Sequence, residues 1–206
     1  MHLAFDAEGV QGKLEERGHS VLRVHSEVTS RTDYLLRPDL GRRLDPPSRT
    51  TLQEFAAGGG SGFDAAFVIA DGLSPLAIHR HAVAVIELAW QKLAQKGWRL
   101  APVIIAEQSR VALGDEVAVL LAAGQVAILI GERPGLSAAD SLGIYLTYAP
   151  RIGSTDAERN CISNIRPEGL GYQEAAQTLV RLMLRARRYR LTGVGLKDVG
   201  ELMPEA

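Results

Sequence analysis

Short apolar strands alternating with amphipathic helices predict an α/β fold. It has a mainly parallel sheet with helices on both faces, preceded by a short N-terminal helical and arm region. Three observations carry this. Wholly apolar runs at 65–70 and 126–130 are too short for buried helices and read as strands. Between them, Val83, Ile86, Trp90 and Leu93 recur at spacings of three and four, the stripe of a helix lying on a sheet. Glycines at 97 and 124 follow the helical segments, where a C-cap is expected.

In order along the chain, residues 1–20 read as a polar helix closed by Gly18, and 21–28 as an alternating strand. The segment SRTDYLLRPDLGRRL (30–44) is expected to be irregular, because Pro38 and Gly41 interrupt it, and Asp45-Pro46-Pro47-Ser48 to be a turn. A short helix over 50–57 precedes Gly58-Gly59-Gly60-Ser61-Gly62, a surface loop and soft boundary. This divides the chain into an N-terminal helix and arm, 1–62, and an α/β domain, 63–206. After the strand at 65–70, Ser74 is placed as an N-cap and Pro75 as the first residue of a helix running to about 95. A strand over 99–106, a helix over 115–123 and the strand at 126–130 follow. Ser137 and Asp140 have capping-box spacing. Apolar runs at 144–148 and around Cys161 come next. The last helix, 172–188, buries Ala176, Leu179, Met183 and Ala186 and carries Arg181, Arg185, Arg187 and Arg188 in its later turns.

Composition narrows the function. A net charge of −1 argues against a general polyanion binder. The single cysteine forms no internal disulfide and points to a reducing compartment. No apolar run is long enough to span a bilayer, and the opening MHLAFDAEGV lacks the cationic start of a secretory signal. There is no dinucleotide glycine fingerprint, no phosphate-binding glycine-lysine loop and no histidine pair at metal-ligand spacing.

Three strand exits are expected to share the carboxyl edge of the sheet: Asp71-Gly72-Leu73-Ser74, Ser109-Arg110-Val111 and Gly131-Glu132-Arg133-Pro134-Gly135. Glu132 stands out, because a carboxylate directly after a buried strand needs hydrogen-bond donors or a ligand. Helix capping already accounts for Ser74. Cys161 has no neighbouring base in the sequence and reads as a small apolar residue rather than a nucleophile. Arg37, Arg42 and Arg43 cluster around Pro38 and Gly41, a density that favours docking to another protein. The residues thus describe a binding domain with a ligand edge and no self-sufficient catalytic set. A stand-alone small-molecule-binding domain and a purely structural interaction subunit remain open at this level.

The segments SRTDYLLRPDLGRRL, DGLS, GERPGL and YAPRIGSTDAERNCISNI, in this order over residues 21–190, resemble the small subunit of ethanolamine ammonia-lyase. The resemblance implies a Rossmann-like domain in a heteromeric, adenosylcobalamin-dependent lyase that converts ethanolamine to acetaldehyde and ammonia. The large subunit, a β/α barrel, would carry the radical chemistry, and the small subunit would cover the opposite face of the corrinoid. The family's cobalamin contacts map onto Val111, Glu132 and Cys161. The cofactor is expected with its benzimidazole on cobalt, in keeping with the lack of an Asp-x-His-x-x-Gly motif here. The expected location is cytoplasmic, in some members inside a bacterial microcompartment. Family members usually carry several dozen residues before the equivalent of Leu3, whereas this chain opens close to its first helix.

Overall fold

The computed structural model describes residues 4–135 and 138–196. Helix α1 (Ala7–Glu15) is capped by the Asp6 side chain, and the chain leaves it through Gly18 at φ +83°. Strand β1 (Val21–His25) follows. The arm is more regular than its proline and glycine suggest. Ser30 caps a short helix, α2 (Arg31–Leu36), by accepting the Asp33 N–H, and Pro38 lies just beyond its end. A 3-10 turn covers Leu40–Arg42. The residues 45–48, expected as a turn, instead start helix α3 (Pro46–Ala57): Asp45 caps it and prolines fill its first turn, where no N–H is needed.

Strand β2 (Ala66–Ala70) leads to the Ser74 cap and Pro75, as expected. The helix beyond is not uniform. A first turn, α4 (Pro75–Ala77), passes through a π segment, Ile78–Ala82, into α5 (Val83–Ala94). Ile86 and Leu93 of the expected stripe are fully buried. Val85 and Ala89 join them, while Val83 and Trp90 are only partly covered. Strand β3 (Val103–Glu107), helix α6 (Leu113–Leu120), strands β4 (Gln125–Gly131), β5 (Leu142–Tyr148) and β6 (Arg159–Ile165), and helix α7 (Tyr172–Tyr189) complete the chain.

The six strands form one sheet in the order β1-β3-β2-β4-β5-β6. The fold is α/β, with β1, β3, β2 and β4 parallel. The last two strands depart from the parallel expectation, since β5 runs antiparallel to β4 and β6 antiparallel to β5. The cause is connection length. Residues 132–141 are too few for a helical crossover, so the chain reverses. Asp140 therefore caps no helix. Its carboxylate accepts from Arg80 at 2.8 Å and lies 3.3 Å from His81 Nε2. Ser137, its expected capping partner, lies outside the described residues.

Alternating strand residues build two cores. Phe67, Ile69, Val103, Ile105, Ala127 and Leu129 face α1, α5 and α7. Val68, Ile104, Ala106, Ile128 and Ile130 face α3 and α6. The α7 stripe of Ala176, Leu179, Met183 and Ala186 is buried in the first core, as its spacing predicts. On the second face, Arg159 of β6 reaches α6. It grips Asp115 through two bonds of 2.8 and 2.7 Å and donates to Thr147 and the Ser154 carbonyl.

The crevice between the carboxyl ends of β2 and β3 is filled by the chain itself. Asp71 ends β2 almost fully buried. It accepts the Ser109 N–H at 3.0 Å and faces Arg31 of the arm at 3.2 Å. Arg31 also donates to the Gly72 carbonyl at 2.8 Å. Gly72 has φ +60°, and a Cβ there would lie 2.4 Å from the Gly131 carbonyl oxygen, so only glycine fits. Burial pushes the Asp71 carboxyl up to about 6, against the opposing pull of Ser109 and Arg31.

Two stability predictions follow from these buried charges. A carboxyl whose pKa is higher in the folded state favours the fold while protonated, and that advantage fades as pH rises from about 4 through about 6. Relative to Asp71→Asn, the wild type should lose about 2–3 kcal/mol of unfolding free energy between pH 4 and pH 7. Paired urea titrations at both pH values measure this, and a pH-independent difference contradicts it. Second, Arg159→Met should cost about 3–5 kcal/mol, because it leaves Asp115 buried and unpaired; Arg159→Met with Asp115→Leu should recover most of that loss.

Candidate functional site

Helices α3 and α6 pack against the parallel part of the sheet. On the same face, the antiparallel strands present side chains outward, and Cys161 and Ser163 of β6 are exposed. Of the sequence-flagged residues, Glu132 and Cys161 lie here.

Glu132 leaves β4 half-buried, and its N–H donates to the Ser141 carbonyl at 2.9 Å. The Ser141 hydroxyl donates to its Oε2, and the Asn164 N–H approaches the same oxygen at 3.3 Å. Its Oε1 accepts no hydrogen bond among the described residues. That oxygen rests against Gly143 of β5, where a Cβ would come within 2.8 Å of it. The carboxylate thus lies over a position that only a missing side chain keeps open.

Cys161 stands opposite Tyr145 in the β5–β6 register. Desolvation by neighbouring groups pushes the Cys161 thiol up, and Glu132 adds to this. Burial, with Cys161 next, pushes the Tyr145 hydroxyl up to about 12. Both groups are therefore neutral near pH 7. Glu132, Tyr145 and Cys161 feel one another electrostatically and form one group. Val111 comes from the segment between β3 and α6. It packs on the apolar cluster containing Leu113, Ile128 and Ile130, the cluster that Tyr145 also covers.

Val111 also lines an open cleft of about 1010 Å³, together with Arg42, Arg43 and Arg110. The three arginines of the arm do not act alike. Arg37 is spent on Asp39, with bonds of 3.0 and 2.7 Å. Arg42 and Arg43 are exposed, and their side chains make no ion pair among the described residues.

Of the three strand exits, the first is used internally. Asp71 is closed off by Arg31, and Ser74 both caps α4 and donates to the Ala139 carbonyl at 2.8 Å. The histidines near α4 are likewise engaged: His79 accepts the Asp6 N–H and His81 meets the Tyr172 hydroxyl at 2.6 Å. Ser141, Gly143 and Tyr145 were not visible as site residues in the sequence, since only the antiparallel register brings them to Glu132 and Cys161. The group can accept amide hydrogens through the Glu132 carboxylate and wall off a flat apolar surface. Among the described residues no base is hydrogen-bonded to the Cys161 thiol, whose pKa is raised, so the patch is suited to holding a molecule.

Comparison with known proteins agrees with the motif resemblance. The family model described as ethanolamine ammonia-lyase light chain (EutC) matches residues 1–197. The ethanolamine ammonia-lyase small subunit of Ralstonia nicotianae is 53% identical over 202 residues, 98% of this chain and 75% of that protein. That of Pseudomonas syringae pv. tomato is 51% identical, over 98% of this chain and 70% of its own. That of Xanthomonas campestris pv. campestris is 55% identical over 198 residues, 96% of this chain and 73% of its own. With a family model spanning nearly its whole length and relatives above half identity, the chain belongs to the ethanolamine ammonia-lyase small-subunit family.

Proposed function

We propose that this chain is the non-catalytic subunit of an adenosylcobalamin-dependent ethanolamine ammonia-lyase, which converts ethanolamine to acetaldehyde and ammonia. It would hold the corrinoid from the side opposite the large subunit's active site. One observation carries the reading: Glu132 and Cys161, far apart in sequence, interact electrostatically beside Tyr145, and Tyr145 and Val111 pack on one apolar cluster.

The residues present fit such a cofactor. A corrinoid carries a rim of neutral amides, which need acceptors, and Glu132 Oε1 accepts from no donor among the described residues. Gly143 leaves the space beside it that a Cβ would fill. Val111, Tyr145 and the neutral Cys161 thiol offer an apolar wall of the kind a benzimidazole ring needs. When bound, the cofactor supplies the radical that starts the reaction. The protein's part is to hold. Ser141 and the Asn164 N–H fix one carboxylate oxygen of Glu132 so that the other stays oriented. Cys161 and Tyr145 keep their protons throughout.

The partner is the large subunit of the same enzyme. Its docking surface on this chain is α2, where Leu35 and Leu36 are 53% and 72% exposed beside Arg37. Among the described residues no helix is long and apolar enough to cross a membrane. The same reading carries a cytoplasmic enzyme, in some lineages housed in a microcompartment.

In the assembled enzyme, Glu132→Ala should weaken cobalamin binding roughly ten-fold, the loss of a hydrogen bond to a charged acceptor. Gly143→Ala should do the same by displacing Glu132. Spectroscopic titration with cyanocobalamin measures both, and unchanged affinity in both variants refutes the site. Replacing Leu35 and Leu36 with Glu should abolish co-purification with the large subunit while the isolated chain stays folded; a normal complex on size exclusion would remove the docking assignment.

A further inference from the structure

The cleft beside Val111 holds more positive charge than its own carboxylates use. Glu116 is taken by Arg49 at 2.7 Å and by the Leu44 N–H at 2.9 Å. Asp39 is taken by Arg37 at 2.7 Å. Asp156 lies 3.7 Å from Arg159, which Asp115 already matches. Arg42 and Arg43 are left over, both exposed and both lining the cleft. Arg110 is left partly unsatisfied. Its guanidinium sits 4.1 Å from the centre of the Tyr34 ring and donates to the Tyr34 carbonyl at 2.7 Å. Its Nε is buried with no acceptor. The arm is moulded onto this side chain, since a Cβ at Gly41 would lie 2.8 Å from Arg110 Cγ. Two cations without an ion pair among the described residues, beside a third held in place, mark a cleft suited to an anion.

Neutral corrinoid amides do not explain this surplus. A cobalamin that keeps its benzimidazole also carries one anionic group, the phosphodiester of its nucleotide loop. We propose that the cleft receives that phosphodiester, with Arg42 and Arg43 contacting its oxygens and the Arg110 guanidinium, held on Tyr34, adding fixed positive charge behind them. The inference rests on the cofactor reading above. It adds that this subunit distinguishes a complete cobalamin from a corrinoid without the nucleotide.

The test uses the assembled enzyme and two probes, cyanocobalamin and dicyanocobinamide. The second keeps the macrocycle and amides but lacks the phosphate, ribose and benzimidazole. Arg42→Gln with Arg43→Gln should weaken cyanocobalamin binding roughly ten-fold or more and leave dicyanocobinamide unchanged, as measured by absorbance titration. In the wild type, added salt should weaken cyanocobalamin more steeply than dicyanocobinamide, which needs no variant to observe. Equal loss for both probes, no loss for either, or equal salt slopes would overturn the assignment. So would calorimetric binding of inorganic phosphate without corrinoid, if the variant showed no cobalamin-selective loss. Glu132→Ala separates the two levels. If it weakens both probes while the arginine variant weakens neither, only the phosphodiester site fails. If both variants bind both corrinoids normally, the cofactor reading fails with it.

Discussion

The reversal after β4 is the constraint on which the rest depends. A strand that pairs parallel needs a crossover of a dozen or more residues, usually helical. The connection of residues 132–141 is too short for one, so β5 returns antiparallel and β6 follows it. A crossover after β4 would have carried a helix onto one face of the sheet. On the second face, α3 and α6 therefore serve the parallel strands, and the outer part of β5 and β6 stays bare apart from the Arg159–Asp115 link. The same reversal sets Gly143 opposite Ile130 and brings Ser141 back to Glu132. Patch and acceptor thus share one cause.

In open α/β sheets, ligands usually bind where neighbouring strands send their connections to opposite faces. Here that place lies at the ends of β2 and β3, and the arm occupies it. Arg31 crosses onto Asp71 and Gly72, and Tyr34, buried beside it, donates to the Ser109 carbonyl. Two guanidiniums, Arg31 and Arg110, lie over the Tyr34 ring at 4.4 and 4.1 Å, so the plug is held by cation–π contacts as well as ion pairing. A crevice closed this way is not free for a nucleotide. A ligand held by this chain would have to lie elsewhere, as the proposed site at Glu132 does.

Much of this was legible along the chain, for identifiable reasons. Apolar runs and glycine stops located β2, β4 and α7, because period and termination are local properties. Ser74 and Pro75 were readable because an N-cap acts within three residues. The start of α3 was missed since Asp-Pro-Pro-Ser satisfies a turn and a helix start equally, and only packing of Leu52 against the sheet selects the helix. The directions of β5 and β6 were missed because an apolar strand carries no mark of parallel or antiparallel pairing. Glu132 was flagged by the cost of its burial. Gly143, whose absent Cβ makes room for it, looked like any other glycine.

The chemistry of the patch also limits what this chain can do. A group that takes part in acid–base or nucleophilic chemistry needs a pKa near the working pH or a neighbour that lowers it. Cys161 and Tyr145 are both shifted away from neutrality, upward, by desolvation and by Glu132 nearby. Asp71, whose carboxyl is pushed up to about 6, is sealed beneath Arg31 at the plugged crevice. A surface that keeps its hydrogen-bonding groups in fixed protonation states presents the same donors and acceptors throughout a reaction cycle. That constancy is what a subunit needs if it is to hold a cofactor whose reactive side faces a different chain.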